Sequence, residues 1–523
     1  MNSPALKTAV WWAAALALVA LGLCGFFSGT SFTQDDFVWL YLSKACPTPT
    51  DIFYRDALCG QFFRPLGQLW YVAVHSMAGA SLVPYQVAFL ALHLCNSVLV
   101  GCLAQKLAGA QTGALLFLFF SINGLFISPI SNYYCYVFDL LGFCFYLLTL
   151  LLLFRAYRQE SWLAGCASLV TAVAAYLSKE AFYTLPGAIL LISGFSVAGE
   201  SWKWPVLRRR QRWFWLHLAT LGMAIGWRWM IIGNVGGYAL ASIATPSHLL
   251  AQVVDRAVIF TGFAGWSLVP HLARWNRESQ WPLVGSIALL AAATLANRWQ
   301  KSRPGAIWPW LWMLCAWAPS MLMTTYAPVS WYACSFGSIL LLAVVLSWFK
   351  WGRWIGLLVG VYYSVFGFLF YHERQPYIAR LRMQEQALRE LFPDGGWGRP
   401  QGERIFLFRS CPDLFPDPIV KYGNIPGSPV ADVLFFNGGN PIDWVITNPE
   451  PPISIWPIAI SRDYQTGYVD MHEYRAYALE FKERRPAVLR HGPPFRFMQW
   501  EPDGTLTDIT DQNPWRKKGS AEP

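Results

Sequence analysis

Asp35 and Asp36 stand side by side directly after a long apolar run, and other ionisable residues recur beside apolar runs. These are Arg64 ahead of "PLGQLWYVAVHSMAG", Asp139, the pair Lys179 and Glu180 in "YLSKEAFYTLP", and Arg228. A charge at membrane depth is costly, by roughly 2.5 kcal/mol or more, so acids and bases gathered at the ends of such runs point to a wet, functional cavity. Adjacent carboxylates can deprotonate an acceptor hydroxyl, or one can orient while the other acts. A carboxylate in a partly desolvated cleft has its pKa raised toward that of a general base. Arginine and lysine opposite them would hold a phosphate, arginine gripping two oxygens at once, and would stabilise the charge of a departing one. Group transfer from a lipid-linked phosphate uses all of these parts. The plainer alternative is that Asp139 with Arg228, or Lys179 with Glu180, form structural ion pairs.

The elements that must position these residues are membrane helices. Of 523 residues, 55% are hydrophobic, 16% aromatic and only 13% charged, and the mean hydropathy is +0.33. That is more apolar than one water-soluble core can use, so the fold class expected is a polytopic α-helical membrane protein. The run from Thr8 to Gly29 reads as a retained span, because its apolar part is too long for a signal peptide and no small-x-small cleavage site follows. Further runs lie at 84–104, 112–130, 134–154, 162–178, 182–198, 213–232, 281–297, 306–325, 331–349 and 353–371, about eleven transmembrane helices in all. Alternate loops carry the basic residues: Lys106; Arg155 and Arg158; Lys203 with Arg208, Arg209, Arg210 and Arg212; Arg298, Lys301 and Arg303; Lys350 and Arg353. These loops therefore face the cytosol. The stretch 249–270, with Asp255 and Arg256, is read as an outer-face hairpin, since a crossing there would move the 298–303 cluster outside. The net charge of +10 is thus explained by topology, and no basic stripe with stacking aromatics suggests nucleic acid.

Three regions follow: a transmembrane domain over 1–371, within it a first external loop over 29–83 that carries the acidic pair and an amphipathic helix, and a soluble domain over 372–523. The last turns charged and rich in Pro and Gly, with a helix-like opening ("RLRMQEQALRELF") and short apolar runs ("RIFLF", "DVLFF", "DWVITN"), as expected of a small α+β domain. The expected location is a bacterial inner membrane, with the acidic pair and the C-terminal domain in the periplasm. Eleven cysteines show no CxxC pair or ligand spacing, so no metal site is expected from them. Cys24, Cys95, Cys102, Cys166 and Cys315 lie in apolar runs and read as small buried hydrophobes. Cys46 and Cys59 bracket "PTPTDIFYRDAL" in the external loop, where a disulfide would pin the segment that carries Arg64.

The order of a first span followed by "DD", then "FRPLGQLWYVAVHSMAGASLVPYQVAFLALHLCNSVLV", then "SKEAFYTLP" resembles the GT-C class of integral-membrane glycosyltransferases. Within it the chain looks closest to the protein O-mannosyltransferases and the transmembrane-tetratricopeptide type, where an acidic pair, an aromatic-Arg-Pro-Leu element, a Leu-His…Asn span and a Ser-Lys-Glu turn recur in this order. The resemblance covers residues 8–200 well and 200–350 loosely. It implies transfer of a sugar from a polyprenyl-phosphate carrier, dolichyl or undecaprenyl, to an acceptor hydroxyl on the non-cytoplasmic side, usually with inversion.

Carried over by motif, Asp35 and Asp36 would be the catalytic acids, one of them the general base. Arg64 and Lys179 would meet the donor phosphate or shape the first loop, and Glu180 would orient Lys179; Arg228, which no motif covers, joins the phosphate contacts as a further cation at the same face. Asp139, Tyr332 and His93, with Asn96 one turn on, would support them, although polar residues in spans also serve as interhelical glue. No resident cofactor is implied, a divalent cation being left open. The partners are the lipid-linked donor, membrane lipids and an acceptor of unspecified class: protein, glycan or lipid. Two departures stand out. "VSWYACSF" places Trp331 where relatives often carry a charge, leaving Tyr332, and the tail lacks tetratricopeptide repeats, so the acceptor does not carry over. A transporter or flippase of lipid-linked glycans would be marked by paired halves with broken helices, which the chain lacks. An O-antigen ligase-like enzyme would be marked by a large late external loop, which is not evident.

Overall fold

The computed structural model describes residues 4–32, 36, 39–40, 49–54, 63–79, 81–123, 134–194, 204–233, 291, 309–310, 312–313, 315–316, 331–391, 404–409, 444–446, 455–456, 495–500 and 506–508. They divide into two compact units. The first comprises Met1–Thr30, Phe63–Gly67 and Val83–Glu373; the second comprises Ser31–Phe62, Gln68–Leu82 and Arg374–Pro523.

The helices are α1 (Pro4–Leu23), α2 (Pro65–Ala78), α3 (Leu82–Ala108), α4 (Ala110–Asn123), α5 (Val137–Gln159), α6 (Trp162–Ser178), α7 (Leu185–Gly194), α8 (Trp204–Ile232), α9 (Trp331–Ser347) and α10 (Gly352–Leu391). Among the described residues, four stretches are long and apolar enough to cross a membrane: Ala5–Leu23, Leu82–Ala108, Val137–Gln159 and Gly352–Glu373. Shorter apolar helices occupy Ala110–Asn123, Trp162–Ser178 and Ser335–Ser347. The chain is therefore that of an integral membrane protein. The expected spans at 281–297 and 306–325 and the stretch 249–270 fall wholly or largely outside the described residues.

In the first unit α5 is the central helix, with 72% of its most apolar window buried against 28–44% for the other three spans. It is apolar all round, as a helix enclosed by others must be. Its hairpin with α6 is closed by two local devices: Glu160 takes the left-handed conformation (φ 49°), and the Ser161 hydroxyl accepts a hydrogen bond from the Ala164 N–H at 3.3 Å. Thr149 and Thr171 then share a hydroxyl hydrogen bond of 2.8 Å across the pair. Beyond α1, Thr30 pins the exit of the chain. Its Oγ1 donates to the Phe26 carbonyl at 2.8 Å and receives hydrogen bonds from Tyr134 at 2.7 Å and Gln86 at 3.0 Å.

Several described glycines bring elements closer than any side chain would allow, and two of them bear on the site. A Cβ at Gly67 in α2 would lie 1.5 Å from the Phe138 ring, and one at Gly142 in α5 would lie 2.1 Å from the Phe182 ring. The first seats the start of α2 against α5; the second seats the turn after α6 against α5.

In the second unit Asp36, Trp39 and Leu40 are helical and Asp51–Phe53 form a 3-10 turn. Five strands follow: β1 (Arg404–Arg409), β2 (Trp444–Ile446), β3 (Ile455–Trp456), β4 (Phe495–Trp500) and β5 (Leu506–Asp508). They form one sheet in the order β3-β2-β1-β4-β5. β1 pairs in parallel with β2 and β4, and the outer pairs β2/β3 and β4/β5 are antiparallel. The runs "RIFLF" and "DWVITN" contribute to β1 and β2, whereas "DVLFF" lies outside the described residues. The boundary expected near Tyr371 falls inside α10, which runs unbroken for 40 residues, while the compact units divide between Glu373 and Arg374. The residues after the last span are polar but good helix formers, so polarity changes there while conformation does not.

Candidate functional site

The site begins with how α6 ends. Lys179 leaves the helix with extended backbone (φ −164°, ψ 142°), and Glu180–Thr184 coil into a 3-10 turn. An extended residue sends consecutive side chains apart, so Lys179 and Glu180 meet different partners. Lys179 Nζ donates to Asp139 Oδ2 at 2.6 Å, where Asp139 sits in the first turn of α5. Glu180 instead accepts from Arg64, which precedes α2: Arg64 Nε reaches Oε2 at 2.9 Å, and a second bond joins Nη2 to Oε1. The pair is the two-pronged guanidinium–carboxylate arrangement. Arg228, near the end of α8, brings Nη1 to 3.7 Å from Glu180 Oε2 and donates to the Phe63 carbonyl at 3.3 Å.

Four separate stretches therefore converge on one cluster. Its members are all buried, with exposures of 8% for Arg64, 3% for Asp139, 3% for Lys179, 6% for Glu180 and 1% for Arg228. Cations outnumber carboxylates three to two among these five. Aromatic faces complete the setting: the Arg64 guanidinium lies 5.8 Å from the centre of the Phe138 ring and Lys179 Nζ lies 6.0 Å from that of Tyr136. Burial by itself raises the Glu180 carboxyl, but Arg64, then Arg228 and Lys179, bring it down to about 2. For Lys179, burial lowers the ammonium below its ordinary range, and Asp139 opposes the shift. Beside Asp139, a narrow cleft walled by Phe143, Tyr146, Phe182 and Trp312 has room for little more than a water.

The pairing differs from the sequence expectation. Glu180 does not orient Lys179, nor does Asp139 pair with Arg228; the carboxylates are exchanged, because the extended residue at 179 turns the two side chains of the Lys-Glu step in different directions.

His93, Asn96 and Tyr332 form a separate, neutral group. His93 Nε2 lies 3.0 Å from the Ser121 carbonyl and Nδ1 2.8 Å from the Tyr332 hydroxyl. A carbonyl can only accept, so Nε2 carries the proton and Nδ1 accepts from Tyr332. Asn96 Nδ2 donates to the Leu140 carbonyl at 2.9 Å. These bonds tie α3 to α4, α5 and α9, which is the interhelical role weighed for them.

In the second unit, Asp36 is fully buried and its Oδ1 accepts from the Tyr71 hydroxyl at 3.0 Å. Sequence reasoning missed Tyr71, as it missed Phe138 and Thr30. One signal was present: Gln68, Tyr71 and Val74 repeat every third residue along α2 and are all buried. Asp35, Cys46 and Cys59 lie outside the described residues. Those described cysteines that are free are Cys24, Cys95, Cys102, Cys144, Cys166 and Cys315. No group of three or more His, Cys, Asp or Glu that could hold a metal occurs among the described residues.

No protein-family description matches the chain, and no curated protein matches it. Among solved structures it is similar to the crystal structure of ArnT from Cupriavidus metallidurans bound to undecaprenyl phosphate, with 11% identity and a TM-score of 0.49, covering 96% of this chain and 94% of that one. It is likewise similar to the apo state of the same protein, with 12% identity and a TM-score of 0.49, covering 95% of this chain and 94% of that one.

Proposed function

We propose that the protein is a GT-C-type integral-membrane glycosyltransferase that moves a sugar from a polyprenyl-phosphate carrier to an acceptor hydroxyl on the non-cytoplasmic face. The observation that carries this reading is the buried cluster of Arg64, Lys179, Arg228, Asp139 and Glu180 in a chain with membrane-spanning helices. Buried ion pairs are poor devices for stability, since apolar side chains of similar volume often serve as well or better. Cations in excess, held in fixed directions by carboxylates, are what recognition of a phosphate requires.

In the reaction, one aspartate of the pair Asp35 and Asp36 takes the proton of the acceptor hydroxyl. The oxygen attacks the anomeric carbon from the side opposite the phosphate, so the configuration inverts. The bond from that carbon to the phosphate oxygen breaks, and its electron pair leaves with the phosphate. Arg64 and Arg228 meet the charge that develops there, Lys179 adds to the local positive potential, and Glu180 and Asp139 keep the cations aimed.

The test is purified full-length protein given radiolabelled polyprenyl-phosphate sugars and a membrane extract as acceptor. Covalently labelled acceptor is expected, and the double variant Asp35→Asn, Asp36→Asn should insert normally yet give no product. A fully active double variant refutes the assignment. Labelled donor crossing sealed vesicles with no covalent product would make the protein a transporter.

A further inference from the structure

We propose that Tyr71 is a positioning residue for Asp36, and that Asp36 is the member of the acidic pair that acts as the base; this rests on the sugar-transfer reading above. The torsion that spins a carboxyl group about its stem is soft, so a base that must meet one proton in one direction needs its plane held. The Tyr71 hydroxyl does this at Oδ1, 3.0 Å away. The phenol is the donor and the carboxylate the acceptor, a charge-assisted bond in a fully buried setting.

The phenol is itself held. Trp39 lies nearly parallel to its ring, at 6.4 Å between centres and 23° between planes. Trp70 meets it edge-on, at 5.0 Å and 86°. Trp39 is one helical turn beyond Asp36, so the turn that presents the carboxylate also presents the ring that packs against its donor. A tyrosine that merely filled space would need neither the hydroxyl contact nor this reciprocal clamp.

The experiment uses full-length protein and the transfer assay, with kcat and donor KM measured separately. Tyr71→Phe keeps the ring and removes the hydroxyl. It should lower kcat by roughly 10- to 100-fold, the size of one lost hydrogen bond to a charged group. Donor KM should stay within about twofold, because the interaction serves the chemical step. Placed in the Asp36→Asn background, Tyr71→Phe should leave the residual rate unchanged, since a residue acting through another has nothing left to position. Fluorotyrosine at position 71, which retains the hydroxyl, should restore kcat. Tyr71→Phe at the parental kcat, or a loss that multiplies fully with that of Asp36→Asn, overturns the inference. So does full activity in Asp36→Asn with loss in Asp35→Asn. An inactive parent protein instead overturns the transfer reading, so the two failures are told apart.

Discussion

Among the buried polar groups described in the first unit, two are built on opposite principles. Around His93 every partner is neutral: a carbonyl, a tyrosine hydroxyl and an amide, joined so that each ring nitrogen has one role. Around Glu180 three cations and two carboxylates are packed together with almost no exposure. The neutral group joins its helices without burying a charge, at little electrostatic cost, as polar residues do between helices in lipid. The ionic group needs several kcal/mol, roughly, of desolvation per charge and recovers it only through close geometry. A protein that has the cheap solution available on α3 and still maintains the expensive one has a use for charge itself.

Four measurements would break or sharpen that contrast. The largest effect is expected of Glu180→Ala, which leaves Arg64 and Arg228 without the carboxylate they share. It should cost about 3–5 kcal/mol in unfolding measurements on the detergent-solubilised protein, together with transfer. Replacing both halves, Arg64→Leu with Glu180→Leu, should return stability to within about 1–2 kcal/mol of the parent. Transfer should nonetheless stay at least about 100-fold down, as expected when a donor to developing charge is gone. Parental transfer in that double variant would reduce the ionic group to glue.

Next comes acid. The Glu180 carboxyl is lowered from 4.5 to about 2, so the stability it contributes is fully present above the unfolded value and is lost as pH falls toward the folded one. Unfolding followed from pH 7 down should show the parent losing stability below about 4.5, with a shallower loss in Glu180→Gln. Equal slopes would mean the carboxylate is not held by its cations. The smallest effect is expected of Tyr332→Phe, which removes the donor to His93 Nδ1. Stability should fall by about 1–2 kcal/mol, and transfer should remain within about threefold of the parent. A collapse of transfer there as deep as in the arginine variant would erase the distinction between the groups.

How far the sequence could be read depended on the kind of information each feature needs. The helix predicted over 162–178 is found at Trp162–Ser178, because an apolar stretch bounded by a serine cap and a Lys-Glu step carries its own limits. That the charges at 64, 139, 179, 180 and 228 come together could be inferred from the cost of leaving them apart. Which cation meets which carboxylate could not, since it turns on one backbone conformation at Lys179. Tyr332 and Asp36 show the same limit. Their partners, His93 and Tyr71, stand 239 and 35 residues away; the motif resemblance marks Tyr332 and His93 singly, but neither type nor spacing says that they bond each other or that Tyr71 meets Asp36. The tail of α10 carries two signals at once: hydropathy falls after Tyr371, while the helix formers of "RLRMQEQALRELF" continue the turns.

The extended residue that ends α6 has a consequence for how this region tolerates change. Turns between helices usually accept an inserted or deleted residue, because nothing downstream depends on their parity. Here parity is the wiring: position 179 feeds the Asp139 carboxylate and position 180 the guanidiniums of Arg64 and Arg228, on diverging sides of a single peptide. An extra residue ahead of Lys179 would carry the ammonium to Arg64, and a residue lost there would carry the carboxylate to Asp139, like charge to like in either case. A surface turn of the same length could drift freely; this one is held in frame by electrostatics.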